Sequence, residues 1–254
     1  MTTTDASHWP DDRCAKAFWG QHDLPPYRRL LVDTLDWAAP AAGEAWLDLG
    51  CGGGALTRAL WERTGGAVGR VVGADCAAAN AAAYDRLRAA LPAAADRLAF
   101  VRHDFSAGLG PFPDGGFDHA VSGLAVSYAE SFDPAAGRWT EAAYDRLLRE
   151  VRRVLRPGGR FVFSVNVPDP SWGRVARASL LAALRTARPL RHLKRSWRML
   201  RYGRWLTRAA RSGRFHYLPH PAVAAKLAAA GFARVEHRLS YCDQAYLFRA
   251  VRPG

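Results

Sequence analysis

Apolar segments of five or six residues alternate along the chain with longer stretches whose apolar positions recur at helical spacing. The short segments are Ala45–Leu49, Arg70–Asp75, Leu98–Arg102, Phe117–Ser122 and Arg160–Val165. Most of them are continuous apolar runs rather than alternating ones, which predicts strands covered on both faces. Between them, helices are predicted over Leu56–Trp61, Ala77–Leu91 and Glu141–Leu155. The last is amphipathic, with Ala142, Leu147, Leu148, Val151 and Leu155 directed inward. Gly65-Gly66, Pro92 and Arg156-Pro-Gly-Gly159 punctuate the pattern. Upstream, Leu30, Leu31, Leu35 and Trp37 give Tyr27–Trp37 a helical face, so residues 1–44 read as a helical cap. Downstream, Pro221–Gly231 reads as a helix, and Ala233–Tyr241 and Gln244–Val251 as strands. Their short connection makes them an antiparallel hairpin. Alternating strands and helices predict a doubly wound, seven-stranded, mainly parallel α/β sheet ending in that hairpin, as one domain over 1–254. Ligands in such folds bind at the carboxyl ends of the strands, near the switch in strand order.

At one of those ends the chain reads Trp46-Leu-Asp-Leu-Gly-Cys-Gly-Gly-Gly-Ala-Leu56. A strand runs into four glycines within five residues, and a helix follows. Such a turn exposes bare backbone N–H groups at the positive end of a helix dipole. Asp48, Asp75, Asp104 and Ser122 also fall at strand ends.

Charge changes the picture at one place. The chain of 254 residues carries a net +13, and Trp172–Arg214 holds twelve Arg, one Lys and no acid. The remainder balances 23 acids with 23 cations, so a basic helical insert over 172–214 sits in a neutral molecule. Cys14, Cys51, Cys76 and Cys242 are scattered, which predicts neither a disulfide framework nor a metal site. No stretch reaches the roughly 20 apolar residues of a membrane span, and the N-terminus does not read as a signal peptide. The expected setting is cytoplasmic.

Gly50-Cys-Gly-Gly-Gly-Ala55 fits G-x-G-x-x-A, the dinucleotide fingerprint, with Asp75 ending the second strand. Three features favour another cofactor over NAD: Asp48 two residues before the glycines, Asp104 closing the third strand, and Val154-Leu-Arg-Pro-Gly-Gly-Arg-Phe-Val-Phe before the fifth. Together these resemble the class I S-adenosylmethionine-dependent methyltransferases, from about Ala45 to Val165 and again from Pro221 to Arg252. The resemblance implies S-adenosylmethionine as cofactor. It places Gly50, Cys51, Gly52 and Gly54 under the methionine and ribose, and Asp48 near the methionine end. It gives Asp75, followed by Cys76, the ribose hydroxyls. Asp104 with Phe105 takes the adenine, and Ser122 and Gly123 line the methionine side. The chemistry agrees. A sulfonium and an ammonium without phosphate suit three carboxylates, which would repel a pyrophosphate.

The acceptor is less legible. Methyl transfer is an in-line displacement that rests on proximity, with a base needed only when the nucleophile must lose a proton. The Asn/Asp-Pro-Pro-Tyr/Phe motif of base amino-methyltransferases is replaced by Ser122-Gly-Leu-Ala, and no Pro-Cys nucleophile of the cytosine-carbon enzymes is present. A small, lipophilic or aromatic acceptor is expected. Candidate acceptor-site or catalytic residues are Tyr27, Tyr128, His216 and His220. His119 reads as a core histidine, and His103 as an edge of the adenine pocket. In the insert, Leu190, Leu193, Trp197 and Leu200 share one helical face and Arg191, Lys194, Arg195 and Arg198 its neighbour, with Gly203 a possible break. That pattern allows a plain lid or peripheral contact with an anionic membrane; contact with nucleic acid ranks below these. A lid at this position is loosely similar to the quinone-biosynthesis methyltransferases. The alternatives are an RNA methyltransferase that holds its substrate backbone through the insert, and a non-catalytic cofactor-binding protein of the same fold.

Overall fold

The computed structural model describes Trp9, Trp19, residues 24–183 and residues 202–254. Helix α1 (Pro25–Ala38) precedes β1 (Ala45–Leu49), α2 (Ala55–Arg63), β2 (Arg70–Asp75), α3 (Ala78–Ala90), β3 (Leu98–Arg102) and β4 (Phe117–Ser122). A small hairpin of β5 (Phe132–Asp133) and β6 (Arg138–Trp139) follows, then α4 (Ala142–Val154) and β7 (Leu155–Asn166). The chain continues through α5 (Trp172–Ala183), a helical stretch over 202–211 (α6), α7 (His220–Ala229), β8 (Ala233–Ser240) and β9 (Ala245–Val251).

Seven strands form one sheet in the order β3-β2-β1-β4-β7-β9-β8. β1 pairs in parallel with both β2 and β4, through Trp46↔Val71 and Trp46↔His119. β9 runs antiparallel to β7 and to β8, with Phe163↔Phe248 in register. The chain winds outward from β1 to β3, then returns to the other side of β1 to begin β4. The switch point is therefore the gap between the carboxyl ends of β1 and β4, where ligands bind in open α/β sheets.

Side chains alternate between the two faces, as strand geometry requires. Leu47, Leu49, Ala120, Phe161 and Phe163 pack with α4 and α7 on one face. Trp46, Val71, Val121, Val162 and Leu247 pack with Leu56, Leu60 and Tyr84 on the other. Both faces are buried, which explains the continuous apolar runs. Helix α4 buries Ala143, Tyr144, Leu147, Leu148, Val151 and Val154. Ala142, expected inward, is exposed because the helix begins there and the buried stripe starts one residue later. Leu155, expected as the last helical residue, opens β7 instead.

The β5–β6 hairpin lies outside the sequence expectation. Its two-residue strands are too short for a periodic signal, and its turn is built by Asp133, whose carboxylate accepts from the Ala135 and Ala136 amides. Gly203 lies within 202–211 and lets that helix press on Trp172, since a Cβ there would sit 2.5 Å from the indole; the helix it was expected to end lies outside the described residues. The Trp172 indole N–H donates to Thr207 Oγ1 at 2.8 Å, joining α5 to α6. The expected helical face bearing Leu190, Leu193, Trp197, Leu200 and the neighbouring cations falls outside the described residues, as does most of 1–23. No helix among the described residues is long and apolar enough to cross a membrane.

Two substitutions in α4 check this burial. Leu148→Ala is expected to lower unfolding free energy by about 2–5 kcal/mol, the usual cost of emptying a closed core site. Ala142→Ser is expected to change it by less than about 0.5 kcal/mol, as on an exposed face. Urea denaturation measures both; comparable losses would mean that the helix faces another way.

Candidate active site

The turn after β1 passes directly beneath the turn after β4. Gly50 has φ +65°, and a Cβ on it would lie 2.3 Å from the Ala125 Cβ. Glycine is required there on both counts, since the left-handed backbone and the contact each exclude a side chain. Gly52 differs. Its φ is +53°, but no atom lies within 4 Å of where its Cβ would stand, so its Cα faces open space.

That space is a cavity of about 1010 Å³, solvent at its mouth included. The sheet order divides its walls. From the β1–β2–β3 side come Gly50, Cys51, Gly52, Gly53, Asp75, Cys76, Asn80, Asp104 and Phe105, with Trp19. From the β4–β7 side come Gly123, Leu124, Ala125, Tyr128 and Asn166, joined by Tyr27 of α1, Trp172 of α5, Leu206 of α6, and Trp9 and Tyr241.

Asp75 is the polar centre of the first side. Its Oδ2 accepts from the Gly52 amide at 3.0 Å; its Oδ1 accepts from the Ala77 amide at 3.0 Å and from Asn80 Nδ2 at 2.9 Å. A carboxylate has about four acceptor positions, so one on Oδ2 stays open to a hydroxyl donor. Asn80 is itself oriented by the Trp19 indole N–H, which donates to its Oδ1 at 2.8 Å. Asp104 caps the turn at Phe105–Ala107 by accepting from the Ser106 amide at 2.9 Å.

Asp48 stands behind the glycine wall, fully buried. Its Oδ2 accepts from the Thr57 amide at 3.1 Å and the Thr57 hydroxyl at 2.8 Å, while Oδ1 has no partner. Burial pushes this carboxyl up to about 7, against the two Thr57 hydrogen bonds, with the negative Asp75 adding to the rise.

The second side is aromatic and neutral. Tyr128 Oη lies 3.1 Å from Tyr217 Oη and accepts from Asn166 Nδ2 at 3.2 Å. The Tyr27 and Tyr241 rings meet edge to face at 6.4 Å, and Trp9 tilts over Tyr128 with centroids 4.5 Å apart. Tyr241, Cys242 and Asp243 all have positive φ, at 56°, 55° and 63°. Three successive non-glycine residues in that region cost roughly 1–2 kcal/mol each. The strained turn between β8 and β9 is what brings Tyr241 to the cavity.

Several expectations need correction. Ser122 does not line the methionine side: it is wholly buried and its hydroxyl donates to the Leu49 carbonyl at 2.8 Å, tying β4 to β1. Gly123, next to it, reaches the cavity. Gly54 lies outside the lining, packed against Leu87 and Tyr84 as the left-handed residue before α2. His216 is buried away from the cavity with Nε2 3.0 Å from the Ala129 carbonyl, and desolvation lowers its pKa. His220 stacks on His237 at 4.1 Å, also away from the lining. Neither histidine is placed to serve as a base there. His103 turns to the Gly108 carbonyl, at 2.7 Å, and is absent from the lining. His119 is buried between Glu44 and Arg160. Tyr27 and Tyr128 do reach the cavity. Asn80, Asn166, Tyr241, Trp172, Leu206, Trp9 and Trp19 escaped the sequence reading. Asn166 was within reach, because it ends a strand at the carboxyl edge; the aromatic residues come from segments with no strand-end signal.

The donor set fits an organic cation lacking phosphate. Two carboxylates line the first side and a third lies behind it, and among the described lining residues there is no Lys, Arg or His. Gly52 leaves a bare cradle, and Asp48 Oδ1 is a buried acceptor awaiting a donor.

The shift at Asp48 carries a sign. Its folded pKa lies above its unfolded value, so the neutral carboxyl stabilises the fold below about pH 4. That contribution is lost as pH rises through about 7. Without cofactor, the wild type should lose roughly 2–4 kcal/mol relative to Asp48→Asn between pH 5 and 8.5. Urea midpoints across that range measure it; parallel profiles would mean that Asp48 is ionised throughout.

A model of the methyltransferase domain matches residues 47–163. An uncharacterized methyltransferase of Mycobacterium tuberculosis is 34% identical over 158 residues, 61% of this chain and 51% of that protein. Nocamycin O-methyltransferase of Saccharothrix syringae is 33% identical over 148 residues, 58% of this chain and 45% of the relative. Demethylmenaquinone methyltransferase of Thermus thermophilus is 38% identical over 144 residues, 57% and 56%. The chain thus spans about half the length of the curated relatives it matches. Among solved structures, the N-methyltransferase NodS of Bradyrhizobium japonicum, in complex with S-adenosylhomocysteine, superposes with TM-score 0.59 at 15% identity, covering 93% of this chain and 92% of that one. That likeness is one of fold. With the glycine turn, the carboxylates at the β1, β2 and β3 ends and this strand order in place, residues 47–163 form a methyltransferase domain, and the chain is similar to the class I S-adenosylmethionine-dependent methyltransferases.

Proposed function

We propose that the protein transfers the methyl group of S-adenosylmethionine to a small, lipophilic or aromatic acceptor. The observation that carries this reading is the two-sided cavity: carboxylates and bare glycine backbone on one side, aromatic and uncharged walls on the other. Bound S-adenosylmethionine supplies an electrophilic methyl on a sulfonium, displaced in line with departure of the neutral thioether. Gly50, Cys51 and Gly52 would pass beneath the methionine and ribose, with Gly54 shaping the turn from behind. Asp75 would take a ribose hydroxyl on Oδ2, beside Cys76, and Asp104 with Phe105 the adenine. Asp48 would face the ammonium end, where a cation beside it draws its carboxyl into the ionised form. Tyr27, Tyr128, Trp172 and Leu206 would hold the acceptor against Gly123 and keep water out. Binding, orientation and desolvation supply the acceleration, since no buried base faces the cavity among the described residues. On this reading the chain forms one methyltransferase domain, with residues 1–44 as its cap and 172–214 as a cover over the acceptor side.

The relatives named for O-methylation and for demethylmenaquinone point the same way. Contact of the insert with an anionic lipid surface is a second reading. It is favoured by the exposed Arg174, Arg177, Arg204, Arg208 and Arg211, which stand on the described helices of a segment without acids.

Isothermal titration with S-adenosylhomocysteine should show binding that Asp75→Ala weakens at least about tenfold, while NADH gives no heat. Transfer of labelled methyl to hydroquinones or naphthols rather than to RNA supports the acceptor class; transfer to RNA alone, in a salt-sensitive complex, would replace it. Cosedimentation with phosphatidylserine vesicles at low salt, lost at high salt, is expected on the lipid reading, and its absence removes that reading.

A further inference from the structure

Asn166 ends β7 with its side chain in the cavity wall and is 1% exposed. Its amide is half used. Nδ2 donates to Tyr128 Oη at 3.2 Å, and Oδ1 has no partner. Tyr128 is itself held by Tyr217, whose hydroxyl lies 3.1 Å away. That contact engages the phenol, and the amide turns its NH2 end toward it. The end left over is a carbonyl oxygen, which accepts and never donates. A buried acceptor without a partner costs free energy until a donor arrives, so whatever fills the cavity is selected for bringing one. The same cavity is lined by Tyr27, Trp172, Leu206 and Tyr241, which fit a flat apolar framework. The negative end of the amide dipole disfavours a carboxylate or phosphate at that depth.

We infer that Asn166 Oδ1 is the specificity-determining contact for the methyl acceptor. The site takes a neutral, flat, apolar molecule that presents an O–H or N–H to this oxygen. The inference rests on the proposed methyltransferase reading and narrows its acceptor class. Tyr128 acts as the positioning residue that engages the NH2 end and leaves the buried oxygen for a ligand donor.

The test uses the full chain saturated with S-adenosylhomocysteine and three probes of one shape: 2-naphthol, 2-methoxynaphthalene and 2-naphthoate. Equilibrium dialysis should find 2-naphthol bound about tenfold tighter than 2-methoxynaphthalene, the usual discrimination by a buried unpaired group, with 2-naphthoate weakest. Asn166→Leu should abolish the preference for 2-naphthol while leaving affinity for S-adenosylhomocysteine within about twofold of the wild type, the scatter expected when no contact is lost. Should that variant fail to fold, Tyr128→Phe serves instead. It frees the amide to turn its NH2 outward, and 2-methoxynaphthalene should then approach 2-naphthol in affinity. Equal binding of 2-naphthol and 2-methoxynaphthalene by the wild type, no binding of any probe, or a preference that survives Asn166→Leu would each overturn the inference. Loss of S-adenosylhomocysteine binding by the wild type would overturn the methyltransferase reading itself, and the two failures are read in separate titrations.

Discussion

The carboxyl edge of this sheet depends on one close approach: the turn after β1 lies against the turn after β4 with only the Ala125 methyl between them. Gly50 makes that possible, since a Cβ there would stand 2.3 Å from Ala125. The same contact brings the two halves of the sheet into one cavity. On the β1 side, the Gly52 amide closes on Asp75 and sets the position of the carboxylate. On the β4 side, Leu124 adopts φ 57° and its amide donates to Ser164 Oγ, so the turn is pinned to β7. Backbone and buried hydroxyls therefore fix the site before any ligand arrives, as precise positioning requires.

The electrostatic cost is concentrated at Asp48. A buried carboxyl with one oxygen unpaired is unfavourable when ionised, and its pKa rises to about 7 accordingly. A cation placed nearby would reverse that balance. The fold thus holds a group tuned to a cationic partner at the end of the site proposed for the methionine. A second chain of polar contacts runs outward from Asp104, after β3. Ser106 donates its amide to Asp104, and its hydroxyl accepts from the Glu130 amide. Glu130 pairs with Arg214 at 2.9 Å, and Arg214 lies 4.8 Å from the Trp139 ring. Arg214 is thereby anchored to the loop after β4.

The strands, most helix spans and the closing hairpin were legible because two-sided burial writes continuous apolar runs and amphipathic helices write a stripe. The places of Gly50, Asp75 and Asp104 in the cavity wall were legible because strand ends and glycine turns carry them. What stayed hidden depends on contacts between segments far apart in the chain. Ser122 has the right address but turns inward to Leu49. His216 and His220 have suitable chemistry and the wrong surroundings, one held by the Ala129 carbonyl and the other by His237. Tyr241 reaches the cavity through a left-handed turn without glycine, which no propensity rule anticipates. Gly203 lets its helix approach Trp172, a contact that no local pattern announces.

The central claim is that one cavity holds two ligands side by side, a cofactor on the acidic β1–β2–β3 side and a neutral acceptor on the aromatic β4–β7 side. The most direct measurement is a titration of S-adenosylhomocysteine into the protein with and without saturating 2-naphthol. The account predicts an unchanged or increased affinity in the presence of 2-naphthol, as for adjoining sites that bind together. Mutual exclusion, with the affinity falling in proportion to 2-naphthol, would contradict it.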